Sequence, residues 1–492
     1  MSTGALYTLL ANDGNQDKIL LATELLNKRI HDIKKIKCKD PFIKNKYPTL
    51  VDLEKTHVIF IHSHFKPFAA TAYEYAKIGV NTGEAGFSKE IAFSLPQFGD
   101  FFSDMVVHVQ LTGLAAGITS TAVRYADFVG HRLFKKVKFE VNNNILDEYT
   151  SDVYNFHYNF TVSENKKRAW KMNVGQEVPY DAILTQNPLV DTYREVKKIV
   201  SGPQTPKPIH NVIDLWIPLM FWFNKDPCIA IPSVSIPFGQ RFIKILIADA
   251  VECVQGLPTI DFTTPRFTNC ELYINNIFMN PEIHDIFIKR VGFSLIRVHR
   301  IQTEQLTEQN GSIKLDDLKY PIETMYVGCR PIINDGTMEN WNRYHTVIDT
   351  PITYPVAIPN PGIPPPTHII MFTNAIYKEQ VPILTELTVE TKGIELWRTT
   401  PSQFFNSYTP YIYGGQNINT PEDIGMYMVP FNFYPGTYQP SGYINVTRTR
   451  EFYIKYNSTN ISNINPATLV VIGIALNFLV VREGTAVLRY NL

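Results

Sequence analysis

His62 and His64 form the arrangement in the sequence that comes closest to a metal site. Residues two apart on a strand point to the same face, so both imidazoles could reach one ion. The HxH motif of metal-binding cupin enzymes also needs a Glu a few residues later. Here the next Glu is Glu74, and no matching motif surrounds His368. We therefore expect two histidines that pack or hydrogen-bond within a sheet, and no metal, cofactor or catalytic residue. A cupin-like metal-dependent enzyme is the alternative.

Two pairs of carboxylates, Asp147 with Glu148 and Asp316 with Asp317, have the residue types of a general acid and base. Because the members of each pair are adjacent, a strand would point them to opposite faces. We interpret both pairs as turn and surface residues. The sequence also contains no nucleophile elbow, Walker loop or HExxH motif, which disfavours an enzyme.

The cysteines and the glycosylation sequons indicate neither a disulfide framework nor a secreted protein. The cysteines are scattered and form no CxxC pair, so reduced thiols in a cytoplasmic protein are expected. Without a recognisable signal peptide, we interpret the sequons as chance occurrences. The longest late apolar run, 469–481, is too short for a membrane span. The cysteines are Cys38, Cys228, Cys253, Cys270 and Cys329, and the sequons begin at Asn159, Asn310, Asn445, Asn457 and Asn460.

The charge balance argues against a protein that grips nucleic acid. Lys and Arg together number 46, as do Asp and Glu, so the formal net charge is zero. Nucleic-acid binding normally requires a basic excess, whereas near-neutrality suits a chain that associates with copies of itself. The aromatic segment 403–413 could stack bases, but no basic cluster accompanies it. We therefore expect it to lie in the core or in a subunit contact.

Residues 1–46 are expected to form a short helical and basic base segment. Apolar residues recur at helical spacing over about 16–30 and predict an amphipathic helix. Basic residues then concentrate over 28–46, including Lys34, Lys35, Lys37 and Lys39. Such a stretch can simply be solvated, or it can meet an anionic surface such as a membrane leaflet.

Short strands and turns dominate the rest of the chain. Residues 215–223 are almost wholly apolar and suit a strand covered on both faces, while 137–146 form a hairpin about an Asn turn. Residues 311–340 are expected to be loop-rich, and 355–366 to form a stiff polyproline connection. No βαβ alternation occurs. We therefore predict an all-β chain of two antiparallel halves, 47–262 and 263–492.

A series of collinear sequence blocks runs through nearly the whole chain. Through them the chain resembles the major capsid proteins of nucleocytoplasmic large DNA viruses, and most of all the African swine fever virus (asfarvirus-like) members of that family. The blocks are ANDGNQDKILLATELLNKRI (11–30), FGDFFSDMV (98–106), GHRLFKKVKFEVNNNILDEYTSD (130–152), LWIPLMFWFN (215–224), PEIHDIFIKRVGFSLIRVH (281–299), TYQPSGYINVTRTREFYI (437–454) and LNFLVVREGTAVLRY (476–490).

This resemblance implies a double jelly-roll of two eight-stranded antiparallel barrels, in a homotrimeric, pseudo-hexameric capsomer that tiles an icosahedral shell. The implied partners are the chain itself, neighbouring capsomers, minor capsid and penton proteins, and the inner viral membrane through the basic segment, without direct nucleic-acid contact. The implied location is the virion capsid, assembled in the host cytoplasm. The loops around 111–125 and 166–208 are shorter than in the swine fever relative. A glycan-binding attachment protein is a further alternative.

Overall fold

The computed structural model describes residues 27, 28, 30, 71–81, 84–185, 194–234, 236, 240–279, 293–359, 368–447, 449, 451–482 and 485–490. Asn27, Lys28 and Ile30 are helical, and the rest of the predicted N-terminal helix and basic stretch lies outside these residues. His62 and His64, the pair considered as metal ligands, also lie outside these residues.

The first half of the described chain is built mainly of short strands. In chain order these are β1 (Thr71–Gly79), β2 (Glu90–Ser94), β3 (Phe101–Leu111), β4 (Leu114–Ala115), β5 (Ala122–Tyr125), β6 (Phe134–Val141), β7 (Asn144–Thr150), β8 (Tyr180–Thr185), β9 (Arg194–Ile199), β10 (Ile209–His210), β11 (Ile213–Pro218), β12 (Ile231–Pro232), β13 (Arg241–Ile247), β14 (Val254–Leu257) and β15 (Phe267–Met279).

These strands form two antiparallel sheets with a core between them. One sheet has the order β1-β15-β3-β11, with β12 also on β3, and the other has the order β2-β13-β6-β7. Alternate residues of β3 and β13 are buried, as expected for strands with one face on a core. The rings of Phe102 on β3 and Phe139 on β6 lie 6.4 Å apart between centroids, so side chains of the two sheets meet in this core.

The second half has a similar composition of strands. They are β16 (Phe293–Leu306), β17 (Asn310–Lys314), β18 (Pro321–Pro331), β19 (His345–Pro359), β20 (His368–Pro382), β21 (Leu384–Thr391), β22 (Ile394–Pro401), β23 (Met426–Pro430), β24 (Ile444–Asn445), β25 (Phe452–Ser458), β26 (Ala467–Arg482) and β27 (Thr485–Leu488).

The two halves repeat one sheet order. In the second half the sheets run β16-β26-β18-β23 and β17-β25-β21-β22. If the eight main strands of each half are counted along the chain, both halves pair the first, eighth, third and sixth strands in one sheet. Both also pair the second, seventh, fourth and fifth strands in the other. The chain is therefore mostly β and contains the same topology twice.

Helices and small sheets occupy the connections between the main strands. The two-stranded sheets are β4 with β10, β5 with β14, β8 with β9 and β19 with β20. The α-helices are Val129–Leu133, Asp152–Phe160, Glu164–Asn173, Trp222–Lys225, Ala250–Cys253, Ile332–Asp335 and Thr409–Tyr413, with a 3-10 turn at Pro227–Ile229 and a π-helix at Phe404–Tyr408.

The halves stand side by side with corresponding ends together. We define the proximal end as the one where β1 and β16 begin and β15 and β26 end, and the distal end as the opposite one. At the distal end, the helix Asp152–Phe160 of the first half contacts the end of β18 through Asp152 and Arg330. One hydrophobic core cluster contains buried residues of both halves, including Phe156, Tyr344 and Ile472. The halves therefore share apolar packing.

The Asn turn and several strands are confirmed. Asn142 and Asn143 have φ values of 50° and 62°, which a two-residue hairpin of the primed type requires, and β7 begins at Asn144. The apolar stretch 215–223 is a strand only as far as Pro218, which ends β11. The following residues lead into the helix Trp222–Lys225, so the prediction of one continuous strand was wrong.

Two other sequence predictions require correction. Residues 321–331 are not loop but the interior strand β18, buried along nearly its whole length. Residues 355–359 continue β19 rather than a polyproline connection, and 360–367 lie outside the described residues. The helices Asp152–Phe160 and Glu164–Asn173 were not predicted. In addition, β15 pairs with β1 and β3, so residues 267–279 lie in a sheet of the first half.

Candidate functional site

Those residues with suggested chemistry that the structure describes do not come together in one site. Within the described residues no three His, Cys, Asp or Glu side chains come together as a metal site. Asp316 and Asp317 are exposed, as predicted. Cys253, Cys270 and Cys329 are buried free thiols. None of the described helices is both long and apolar enough to cross a membrane.

Asp147 was predicted to be a surface residue, and this prediction was wrong. The carboxylate is 3% exposed and lies on β7, where it faces the second half. One oxygen accepts a hydrogen bond from the backbone N–H of His299 at 2.9 Å, and the other lies 3.0 Å from His299 Nδ1. The partner is 152 residues away. No local pattern in the sequence signals such a contact.

A second buried contact joins the halves at Asp152. Its Oδ1 accepts hydrogen bonds from Arg330 Nη1 at 2.7 Å and from the Tyr344 hydroxyl at 2.6 Å. Burial by itself lowers the pKa of Arg330, but the charges of Asp152, Tyr344 and Asp335 raise it above its ordinary value. Since removing one partner leaves an unpaired buried charge, breaking such a pair costs about 3–5 kcal/mol. These contacts help to fix the position of one half relative to the other.

Further polar contacts surround these two pairs at the distal end. Lys167 binds Glu422 at 2.6 Å, and the indole N–H of Trp341 donates to the backbone oxygen of Asp127 at 2.6 Å. Arg124 pairs with Glu339. Burial raises the pKa of Asp127 to about 6, although Arg124 and Arg343 oppose the rise. The contacts of Lys167, Trp341 and Arg124 all cross between the halves and add to the packing that the halves share.

The hairpin of β19 and β20 exposes most of its described side chains. Its strands pair with each other from His345–Pro382 to Pro359–His368 and with no other described strand. Ile348, Ile352 and Tyr377 are 46%, 41% and 55% exposed. Because Thr350 is opposite Tyr377, these three side chains share one face of the hairpin. An isolated two-stranded hairpin is marginally stable in water, so this apolar face favours a partner.

Exposed aromatic rings also mark the proximal end. The connection after β23 carries Phe433, Tyr434, Tyr438 and Tyr443, which are 73%, 68%, 55% and 55% exposed. It lies near the start of β18, because β24 within this connection pairs with Pro321 and Ile322. The segment 403–413, predicted to lie in the core or in a contact, is divided: Phe405 is buried, while Tyr408 and Tyr411 are exposed.

Comparison with known proteins gives these surfaces their context. The family model described as major capsid protein N-terminus matches residues 61–280, and the model for large eukaryotic DNA virus major capsid protein matches residues 277–487. Hexon protein p72 of African swine fever virus is 33% identical to the chain, with 100% of both chains covered. The major capsid protein of Paramecium bursaria Chlorella virus 1 is 19% identical over 84% of this chain and 86% of its own.

Solved structures agree with the sequence relatives. Faustovirus major capsid protein is similar with a TM-score of 0.76 and 34% identity, covering 96% of this chain and 100% of its own. A chain of the PBCV-1 virus capsid has a TM-score of 0.62 at 17% identity, covering 88% and 100%, which shows a shared fold. These matches define a structural protein of the virion. The chain belongs to the family of large eukaryotic DNA virus major capsid proteins.

Proposed function

We propose that the chain folds as a double jelly-roll of two eight-stranded barrels, and that three copies associate into a pseudo-hexameric capsomer that tiles an icosahedral shell. The repeated sheet order is the observation that carries this proposal. Two equivalent bodies fixed side by side in each chain supply six in a trimer, which approximates sixfold symmetry. The proposed role of the chain is to form the tiles of the shell, and we propose no enzymatic activity.

The proposed division of the chain follows the sequence analysis, with one adjustment. It comprises a base segment (1–46), a first barrel (47–262) and a second barrel (263–492). The pairing of β15 with β1 and β3 favours moving the second boundary beyond Met279. The junction of the two family models near 277–280 supports the same position.

The proposed partners are further copies of the chain, minor capsid and penton proteins, and the inner viral membrane. We propose no direct contact with nucleic acid, since the formal net charge is zero. Assembly is proposed to take place in the host cytoplasm. The exposed apolar face of the β19–β20 hairpin supports self-association. The exposed aromatic rings at the proximal end support contact with the inner viral membrane.

The trimer is tested with the purified full-length chain. Light scattering coupled to size-exclusion chromatography at micromolar concentration should give three times the mass of the chain. Two-dimensional class averages of the same sample should have six lobes in a nearly hexagonal outline. A stable monomer at this concentration, or averages with a single compact lobe, would contradict the proposed capsomer.

A further inference from the structure

A cleft of about 650 Å³ lies between the two halves. The helix Asp152–Phe160 and the helix Trp222–Lys225 contribute to its wall on the first half. Residues of β16, β18 and β26 form the opposite wall, with Thr437 and Tyr438 at the proximal side. This volume falls within the range of about 300–1,000 Å³ that small-molecule sites occupy in proteins. The cleft is therefore large enough for a small organic ligand.

Lys225 is a basic residue of the cleft with no ion pair among the described residues. Among the described residues no carboxylate lies within ion-pair distance of its amine. The charges that act on it are Asp147, which already binds His299 at 3.0 Å, and Arg297, which is held by Glu323 at 2.5 Å. Lys166 also lines the cleft without an ion pair among the described residues.

The carboxylates of the lining are already engaged. Asp104 accepts hydrogen bonds from the Tyr75 hydroxyl at 2.9 Å and from Asn224 Nδ2 at 3.3 Å, while Glu323 binds Arg297. Asp226 also has an interaction partner.

His157 lines the cleft close enough to Lys225 for the lysine charge to act on its imidazole. Burial lowers its pKa to about 3, and the positive charge of Lys225 acts in the same direction. Lys225 is itself exposed, so its amine is accessible to a ligand in the cleft. No carboxylate raises the pKa of His157. The Lys225 amine therefore faces the part of the cleft that His157 lines.

We propose that this cleft binds a small organic anion, with its carboxylate or phosphate group on Lys225 and its apolar body against the aromatic wall. Phe156, Trp222 and Tyr326 line the cleft together with aliphatic side chains such as Ile472 and Ile474. A ligand with both features satisfies the unpaired amine and covers apolar surface at the same time. Because residues of both halves contact it, a bound anion would also brace the contact between the halves.

Calorimetry with three matched probes tests the site on the purified full-length protein. The probes 1-naphthoate and 1-naphthyl phosphate carry the charge, and 1-naphthamide has the same ring without it. We expect one charged probe to bind per chain, and the neutral amide to bind on the order of 10-fold more weakly, because a charge-assisted contact is lost. Whichever charged probe binds more tightly identifies the head group as carboxylate or phosphate.

The substitution Lys225→Met should lower the affinity for the charged probes to that of the amide. Lys89→Met removes an exposed lysine elsewhere and should leave the affinity unchanged. In the unaltered protein, an amine-reactive acetylating reagent should modify Lys225 more slowly when naphthoate is bound. Equal affinity for the charged and neutral probes, unchanged binding by Lys225→Met, or labelling that naphthoate does not slow would overturn the proposal.

Discussion

His131 is a titratable side chain that the fold holds in its neutral form. It is 0% exposed, and the indole N–H of Trp170 donates to its Nε2 at 2.9 Å. Its Nδ1 lies 3.0 Å from Asn155 Oδ1, so the proton is on Nδ1. Protonation of Nε2 would set two N–H groups against each other. Burial accordingly lowers the pKa of His131 to about 3, although the hydrogen bond to Asn155 opposes this.

This arrangement predicts a stability that decreases in mild acid. The pKa of His131 is lower in the folded state than in the unfolded chain, so its contribution is complete above pH ~6.5 and is lost as the pH falls towards 3. Between pH 7 and pH 5 the imidazole alone should remove about 2 kcal/mol from the free energy of unfolding. Urea unfolding of the wild type and of His131→Gln at both pH values measures this. An identical decrease in the two proteins would contradict the assignment.

The positions of such residues could not be predicted from sequence. His62 and His64 attracted attention because their spacing is local, whereas the contacts of His131 and His299 depend on residues brought together by the fold. Asp147 was misassigned for the same reason, since the side chain that contacts it belongs to the other half of the chain. The adjacent spacing of Asp147 and Glu148 did not reveal that Asp147 is buried.

Strands with alternating apolar residues were predictable, and buried strands with paired charges were not. The hairpin of β6 and β7 was found from its alternation and its Asn turn. By contrast, β18 contains Glu323 and Arg330, which are typical of a loop or a surface when read locally. Both are buried, because Glu323 binds Arg297 and Arg330 binds Asp152. The fold compensates these charges, and the sequence pattern does not show it.

The β19–β20 hairpin allows a test of self-association that distinguishes its two faces. Ile348→Ser combined with Tyr377→Ser alters the apolar face defined above, and Ile376→Ser alters the opposite face. Burying a large apolar side chain contributes about 1.5–3 kcal/mol. The double variant should therefore weaken the trimer by on the order of 100-fold or more in its dissociation constant, as measured by analytical ultracentrifugation. Ile376→Ser is the control, because it removes an apolar side chain that is also exposed, at 66%, but on the opposite face. Equal effects of both changes would contradict a one-sided contact.

At the scale of the whole molecule, the two ends differ in character. The hairpin leaves from the distal end, since it lies between the end of β18 and the start of β21. The proximal end carries the exposed aromatic rings at 433–443, and β1 begins there. Sequence analysis predicted two β-rich halves and a basic segment, but this polarity depends on how the halves align.

The polarity leads to a prediction about lipid. Tyrosine rings favour the interface between water and lipid, and each lysine near an anionic leaflet contributes about 1 kcal/mol. Lys34→Glu with Lys35→Glu should therefore reduce co-sedimentation with phosphatidylserine vesicles by on the order of 10-fold or more, while leaving the trimer intact. Lys198→Glu with Lys378→Glu changes the same charge at exposed sites away from this end and serves as the matched control. If both double variants bind the vesicles as the wild type does, the basic segment does not face the membrane. If both lose binding equally, the attraction is a property of overall charge rather than of the proximal end.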